Sequence, residues 1–293
     1  GSANARLTGG DTPLQPKLPS AVAAPAALPE PFYFGETGMR LFGCYHRPQG
    51  ACRRGCAVLL CHPLGEEYTR FQRLYRQLTR RLSAAGFPVL RFDLSGCGDS
   101  EGDLETASVD QWVFDISTAI DETHRRGCVD QCCVLGLRLG GTLATMAAAQ
   151  RGDVSGLVLW DPVVHGVAYL RELHEMQRAM LSTAHVRPSN RRSKVLRTEA
   201  LGYPLPDAMR AGLEALDLTA VRRQPAQRIL VIESHTTVDQ QGLAENLKQF
   251  GGAVTLQRRP EPQSWLWVED VGRVLVPYRS LQMAVRWVSE AFP

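Results

Sequence analysis

Residues 132–150 carry the tightest constraint in the chain. An apolar run, Cys132-Cys133-Val134-Leu135, enters Gly136-Leu137-Arg138-Leu139-Gly140-Gly141 and continues into an alanine-rich stretch ending near Gln150. A short apolar run bounded by glycine predicts a strand buried on both faces, and the alanines after it favour a helix. Glycines at 136, 140 and 141 let the two backbones approach through a turn too tight for side chains. A buried strand turning sharply into a helix belongs in a layered α/β sheet. It throws the tip residue, Arg138, above the carboxyl edge of that sheet, beside the unpaired N–H groups of the new helix.

The flanking sequence repeats the alternation. Residues 32–34 and 39–46, joined by a glycine-containing turn, predict an antiparallel hairpin at a sheet edge. Strands follow at 57–61, 88–93, 132–137, 156–160, 228–233 and 253–257. Between them lie helical stripes: Phe71, Leu74, Leu78 and Leu82 up to Gly86, then Val109, Trp112, Val113, Ile116 and Ile120 behind the N-cap Ser108. Further helices are expected at 139–150, 240–250 and about 281–290. This pattern predicts an α/β fold with a doubly wound, mostly parallel sheet. The segment 163–223 interrupts it with helical stretches at 168–184 and 206–216. An insertion after the carboxyl end of a strand overlies the ligand crevice of such a sheet, so a helical lid is expected there. Its basic run, Arg191-Arg192-Ser193-Lys194, reads as a solvated loop. Residues 1–30, rich in Ala and Pro behind a Gly1-Ser2 that resembles a cloning remnant, are expected to form a flexible arm, leaving one domain over 31–293.

Composition excludes several classes of function. A formal charge of +3 is the small difference between 33 basic and 30 acidic residues, not the one-signed field that draws nucleic acid or an anionic membrane. No run of about 18 apolar residues exists to span a bilayer, and no charged-then-apolar leader opens the chain, so a cytoplasmic protein is expected. Of eight cysteines, Cys61, Cys132 and Cys133 fall in apolar strands where a free thiol acts as a small hydrophobe. Cys52-x-x-x-Cys56 and Cys128-x-x-x-Cys132 lack a second pair at finger spacing, so no structural zinc is expected. Nor does the sequence call for a metal or cofactor elsewhere.

The elbow around Arg138 has the strand, turn and helix context of the G-x-S-x-G nucleophile elbow of α/β-hydrolases, with only the central residue changed. Arginine offers no accessible lone pair and stays protonated, so serine-type hydrolysis through position 138 is excluded on chemical grounds. A guanidinium there either anchors a carboxylate or phosphate in a two-pronged hydrogen bond, or closes a dead site by pairing with a carboxylate such as Asp161. The other candidates gather at the same edge. Glu233 and His235 sit two apart after a strand and suit an acid/base unit; His62 leads a loop in which the N–H of Leu64 would pair with that of Leu139 as an oxyanion hole. Asp161 and His165 are expected to line the crevice, and Cys97 and Cys61 are alternative nucleophiles. Where a histidine would precede the last helix there are only Trp265, Trp267, Glu269 and Asp270; all seven histidines precede residue 236.

Several stretches together are similar to the exosortase A system-associated hydrolases of the second type, within the serine aminopeptidase-like α/β-hydrolases. They are His62-Pro-Leu-Gly-Glu-Glu-Tyr68, Asp93-Leu-Ser-Gly-Cys-Gly-Asp-Ser-Glu-Gly-Asp103 followed by Trp112, Gly136-Leu-Arg-Leu-Gly140, Leu159-Trp-Asp-Pro-Val163 and Ala200-Leu-Gly-Tyr203. The arginine elbow is the most specific of them, and the similarity runs through most of 31–290. It implies an α/β-hydrolase fold and a setting in exopolysaccharide or acyl-group metabolism. Three functions stay open: an enzyme on an acyl ester or thioester with Arg138 as anion anchor; a non-catalytic pseudo-hydrolase binding a carboxylate ligand or a partner protein; and acyl transfer or cyclisation without hydrolysis. The expected partner is a small acyl or carboxylate molecule, free or carrier-bound, and a homodimer is compatible with each.

Overall fold

The computed structural model describes residues 28–49, 52–183, 198–234, 240–262 and 276–293. Most of the expected arm and the basic run at 191–194 lie outside the described residues. The chain opens with β1 (Glu30–Phe34) and β2 (Leu41–His46), an antiparallel pair, followed by β3 (Cys56–Cys61), α1 (Gly65–Ala84), β4 (Val89–Phe92), α2 (Val109–Gly127), β5 (Gln131–Leu137), α3 (Leu139–Arg151) and β6 (Gly156–Trp160). The insertion then contributes α4 (Gly166–Thr183), a two-residue hairpin of β7 (Glu199–Ala200) and β8 (Tyr203–Pro204), and α5 (Asp207–Glu214). The alternation resumes with β9 (Arg228–Glu233), α6 (Gln240–Gln249), β10 (Ala253–Arg258) and α7 (Tyr278–Ala291).

Eight strands form one sheet in the order β1-β2-β4-β3-β5-β6-β9-β10. From β4 to β10 neighbouring strands are parallel; the hairpin adds an antiparallel edge through β2 on β4. Period-two alternation sorts each central strand between two cores. Leu59 and Cys61 of β3, with Val134 of β5 and Leu159 of β6, face the core built with α2, α3 and α6. Val58 and Leu60, with Leu135 and Trp160, face the core built with α1 and α7. A strand covered on both sides has no polar face, which is why these runs are continuously apolar. Ser108 caps α2 as expected, its hydroxyl accepting from the Gln111 N–H at 3.2 Å.

Two departures from expectation have local causes. The β7–β8 hairpin turns on Leu201 and Gly202, both at positive φ (53° and 87°). Leucine gives no signal for such a turn, where Asn-Gly would have announced it. The second helix of the insertion is shorter than predicted and is followed by a single turn over Leu218–Ala220, started by Asp217 capping Thr219. The ends of the insertion are stapled by backbone bonds from Gly166 N to Leu216 O (2.8 Å) and from Leu218 N to Val164 O (2.9 Å).

Candidate functional site

β5 delivers Arg138 to the carboxyl edge of the sheet in the strained conformation of an elbow, φ 50° and ψ −129°. Its N–H still bonds to Trp160 O (3.0 Å), extending the β5–β6 ladder, while its carbonyl accepts from Gly141 and Thr142 as the first turn of α3. The glycines are obligatory: a Cβ on Gly140 would lie 2.5 Å from the carbonyl oxygens of both Cys61 and His62, and one on Gly136 would lie 2.5 Å from Gly141 N. Positive φ at a non-glycine residue persists only where the surroundings enforce it.

The side chain of Arg138 is 1% exposed. Its Nε donates to Glu67 Oε1 at 2.9 Å, and its NH2 group donates to Glu172 Oε2 at 2.5 Å. Tyr169 completes the cluster, donating to Glu67 Oε2 at 3.3 Å with its ring 5.5 Å from the guanidinium carbon. Glu67 comes from the first turn of α1; Tyr169 and Glu172 are three apart on α4, hence on one face. Burial opposes the charge on Arg138, but Glu67 and Glu172 outweigh it and hold the guanidinium protonated. Burial pushes the Glu67 carboxyl above the usual carboxylate range against the pull of Arg138. The elbow cation is thus matched by two carboxylates from elements on either side, with Glu67 as buried as Arg138 itself and Glu172 partly exposed.

The other expected residues divide among separate groups. Asp161, at positive φ (42°) after β6, accepts from the Ser234 N–H at 2.8 Å and from the Ser234 hydroxyl, tying β6 to β9. Glu233, buried at the end of β9, takes the Nε of Arg258 at 2.6 Å. His165 is half-exposed, 3.4 Å from Asp217 at the stapled base of the insertion. Leu64 is the N-cap of α1 and Leu139 opens α3, which places both backbones at the sheet edge. His235, Trp265, Trp267, Glu269 and Asp270 lie outside the described residues. The sequence places Glu67 at the carboxyl edge of the sheet without marking it as the partner of Arg138, and it gives no sign of Tyr169 or Glu172. The available signal was electrostatic: a buried guanidinium requires a counter-charge, and Glu66-Glu67 stands directly after the His62 loop.

A second cluster lies beside the elbow. His62, Leu64, Tyr68, Asp93, Cys97 and Tyr203 line a cavity of about 150 Å³ between the loops after β3 and β4, with the hairpin of the insertion above it. Tyr203 reaches Thr69, hydroxyl to hydroxyl at 3.3 Å, and its ring packs against Gly65. Asp93 shapes the floor, accepting from the Tyr68 hydroxyl at 2.8 Å and from the Asp99 N–H at 3.2 Å. His62 stacks on Tyr75 with ring centres 3.8 Å apart. Burial, aided by Arg91, pulls the imidazole down to about 3, so it is neutral at physiological pH. Burial pushes the Cys97 thiol up to about 12 and the Cys61 thiol higher still, which leaves both as poor nucleophiles near neutrality. All eight cysteines are free. Among the described residues there is no group of three metal-ligating side chains, and no helix is long and apolar enough to cross a membrane.

Comparison with solved structures places this geometry on a known scaffold. The soluble variant of monoglyceride lipase from Saccharomyces cerevisiae, solved with a substrate analogue, aligns with TM-score 0.62 at 16% identity over 94% of this chain and 100% of its own. Est1E from Butyrivibrio proteoclasticus, solved with ferulic acid, aligns with TM-score 0.58 at 17% identity over 88% and 96%. The mouse α/β hydrolase domain-containing protein 10 gives 0.55 at 15% identity over 89% and 97%. At these identities the likeness establishes the α/β-hydrolase fold. A search of curated proteins gives no match. The sequence model of the serine aminopeptidase S33 family matches residues 54–230, which takes in the loop at His62, the elbow at Arg138 and the insertion. The chain therefore belongs to the serine aminopeptidase S33 family of α/β-hydrolases.

Proposed function

We propose that this chain is a ligand-binding, non-hydrolysing member of its family. In this reading Arg138 closes the nucleophile position, and the insertion is a lid fastened over a binding cavity. The observation that carries it is the burial of Arg138 between Glu67 and Glu172. An anion anchor needs donor sites turned toward a ligand; here donors of the guanidinium are taken by the protein's own carboxylates. A further carboxylate would enter beside two existing ones, against like-charge repulsion and the cost of desolvation. The cavity next to the elbow, reached by Tyr203 of the insertion, supplies the alternative place for a ligand. The arginine elbow also supports placing the chain with the exosortase A system-associated hydrolases, as a cytoplasmic protein handling acyl or exopolysaccharide intermediates.

A second reading, acyl transfer without a serine, draws on one feature. The Glu67 carboxyl, pushed up by burial, lies against Arg138, the N-cap of α3, and would exchange a proton with a substrate that displaced Arg138 or Tyr169 from it. One experiment separates the two. Acyl-CoAs, acyl glycosides and free acids are screened by thermal shift, and every stabilising compound is incubated with protein and followed by mass spectrometry. Stabilisation without conversion is expected, and Arg138→Met should retain ligand affinity while losing stability. Conversion of any compound, abolished by Glu67→Gln, would overturn the non-hydrolysing reading in favour of the enzyme. Loss of affinity for anionic ligands alone in Arg138→Met, with stability intact, would restore the anchor role.

A further inference from the structure

The cavity beside the elbow has a chemistry different from the carboxylate site expected from sequence. Its walls are largely apolar, with Leu64, Leu94, Leu104 and the Tyr203 ring among them. Two polar side chains in the lining are more than nine-tenths buried, His62 (7% exposed) and Asp93 (8%). Asp93 is engaged by Tyr68 and by the Asp99 amide. Of the two nitrogens of His62, Nδ1 is shut off from solvent and cavity alike and makes no hydrogen bond, which leaves Nε2 as the one a ligand could reach. Among the described lining residues there is no Arg or Lys to receive an anion.

The ring of His62 is held in place by stacking on Tyr75, so its nitrogens keep a fixed direction. As a neutral imidazole it offers one donor and one acceptor. A carboxylate in the cavity would face Asp93 with no counter-charge in the lining, whereas a hydroxyl can both donate and accept there. The volume, about 150 Å³, accommodates a body of roughly the size of a benzene ring. We infer that this cavity is a binding site for a small neutral hydroxyl compound, a phenol or short alcohol, whose apolar body packs against Leu104 and Tyr203 and whose hydroxyl pairs with His62. This rests on the reading above, in which the ligand lies beside a closed elbow rather than on it.

The test titrates phenol, benzyl alcohol, toluene and benzoate into the full chain, following the His62 ring resonances by NMR and the heat by calorimetry. The hydroxyl compounds should bind saturably and about tenfold more tightly than toluene or benzoate, the worth of one buried hydrogen bond that would otherwise be unmade. His62→Phe keeps the stacking ring and removes the nitrogens, and should reduce phenol to the affinity of toluene. Leu104→Trp fills the cavity and should abolish both, which provides a test independent of how His62→Phe folds. Benzoate binding as tightly as phenol, phenol affinity unchanged by Leu104→Trp or by folded His62→Phe, or no saturable binding of either hydroxyl compound would overturn the inference. Release of acid from an ester would instead overturn the closed-elbow reading and leave the hydroxyl site standing if phenol still binds.

Discussion

Arg138 is where the residue scale matters most, because a buried charge is stable only while its partners remain. Arg138→Met would leave Glu67 buried without its counter-charge, and breaking a buried pair in this way typically costs about 3–5 kcal/mol. Chemical denaturation should show that loss, a smaller one for Glu172→Gln because Glu172 is partly exposed, and substantial recovery in the combined Arg138→Met, Glu67→Leu variant. A loss confined to Glu172→Gln would contradict the assignment. His62 sets a pH dependence. It stays neutral in the fold down to about 3, whereas in the unfolded chain it protonates near 6.5. Between these values the unfolded state binds the extra proton, so the contribution of His62 to stability is present above about 6.5 and lost as the pH falls toward 3. The raised carboxyls of Glu67 and Asp93 act in the opposite direction. The comparison is therefore with the variant: the thermal midpoint of His62→Phe should drop less between pH 7 and pH 5 than that of the unaltered chain. Position 138 was legible from sequence because glycine spacing alone marks a tip. Its partners were not, since Glu67 and Glu172 lie 71 and 34 residues away along the chain.

Among the elements, the β5–α3 unit is the least tolerant. Gly140 sits where a methyl group would press into the Cys61 and His62 carbonyls, and backbone cannot yield as a flexible side chain can. Gly140→Ala should therefore lower the unfolding midpoint sharply or prevent soluble expression. Gly55→Ala, at an exposed position with open space around it, should stay within about 0.5 kcal/mol of the parent. Equal stability of the two variants would show that the close approach of α3 to the end of β3 is not required. Strands and helices were legible to within a few residues, since period two and period 3.6 are written in the apolar pattern. The β7–β8 hairpin was not, because leucine has no local preference for the left-handed conformation that Leu201 adopts.

For the whole molecule, the attachments that hold the insertion to the sheet edge include Tyr169 and Glu172 of α4 on the Arg138 cluster, and Tyr203 on Thr69 and Gly65. If the Arg138 cluster fastens α4, Glu172→Leu should accelerate hydrogen exchange of amides in 166–183 while 131–137 in β5 stays protected. Unchanged exchange in α4 would show that the apolar contacts of Leu170 and Leu173 hold the helix without the ion pair. By itself the sequence determined the order of elements, the parallel sheet, the elbow and the impossibility of a serine mechanism at position 138. All of these follow from local periodicity, from glycine at tight turns and from the chemistry of one side chain. Only the tertiary structure decided that the guanidinium meets Glu67 and Glu172 instead of Asp161, that Asp161 binds Ser234, and that His62 lines a cavity. Such pairings depend on which distant helices pack on either side of the sheet edge. Several carboxylates of equal chemistry stand within reach in the sequence, and packing alone selects among them.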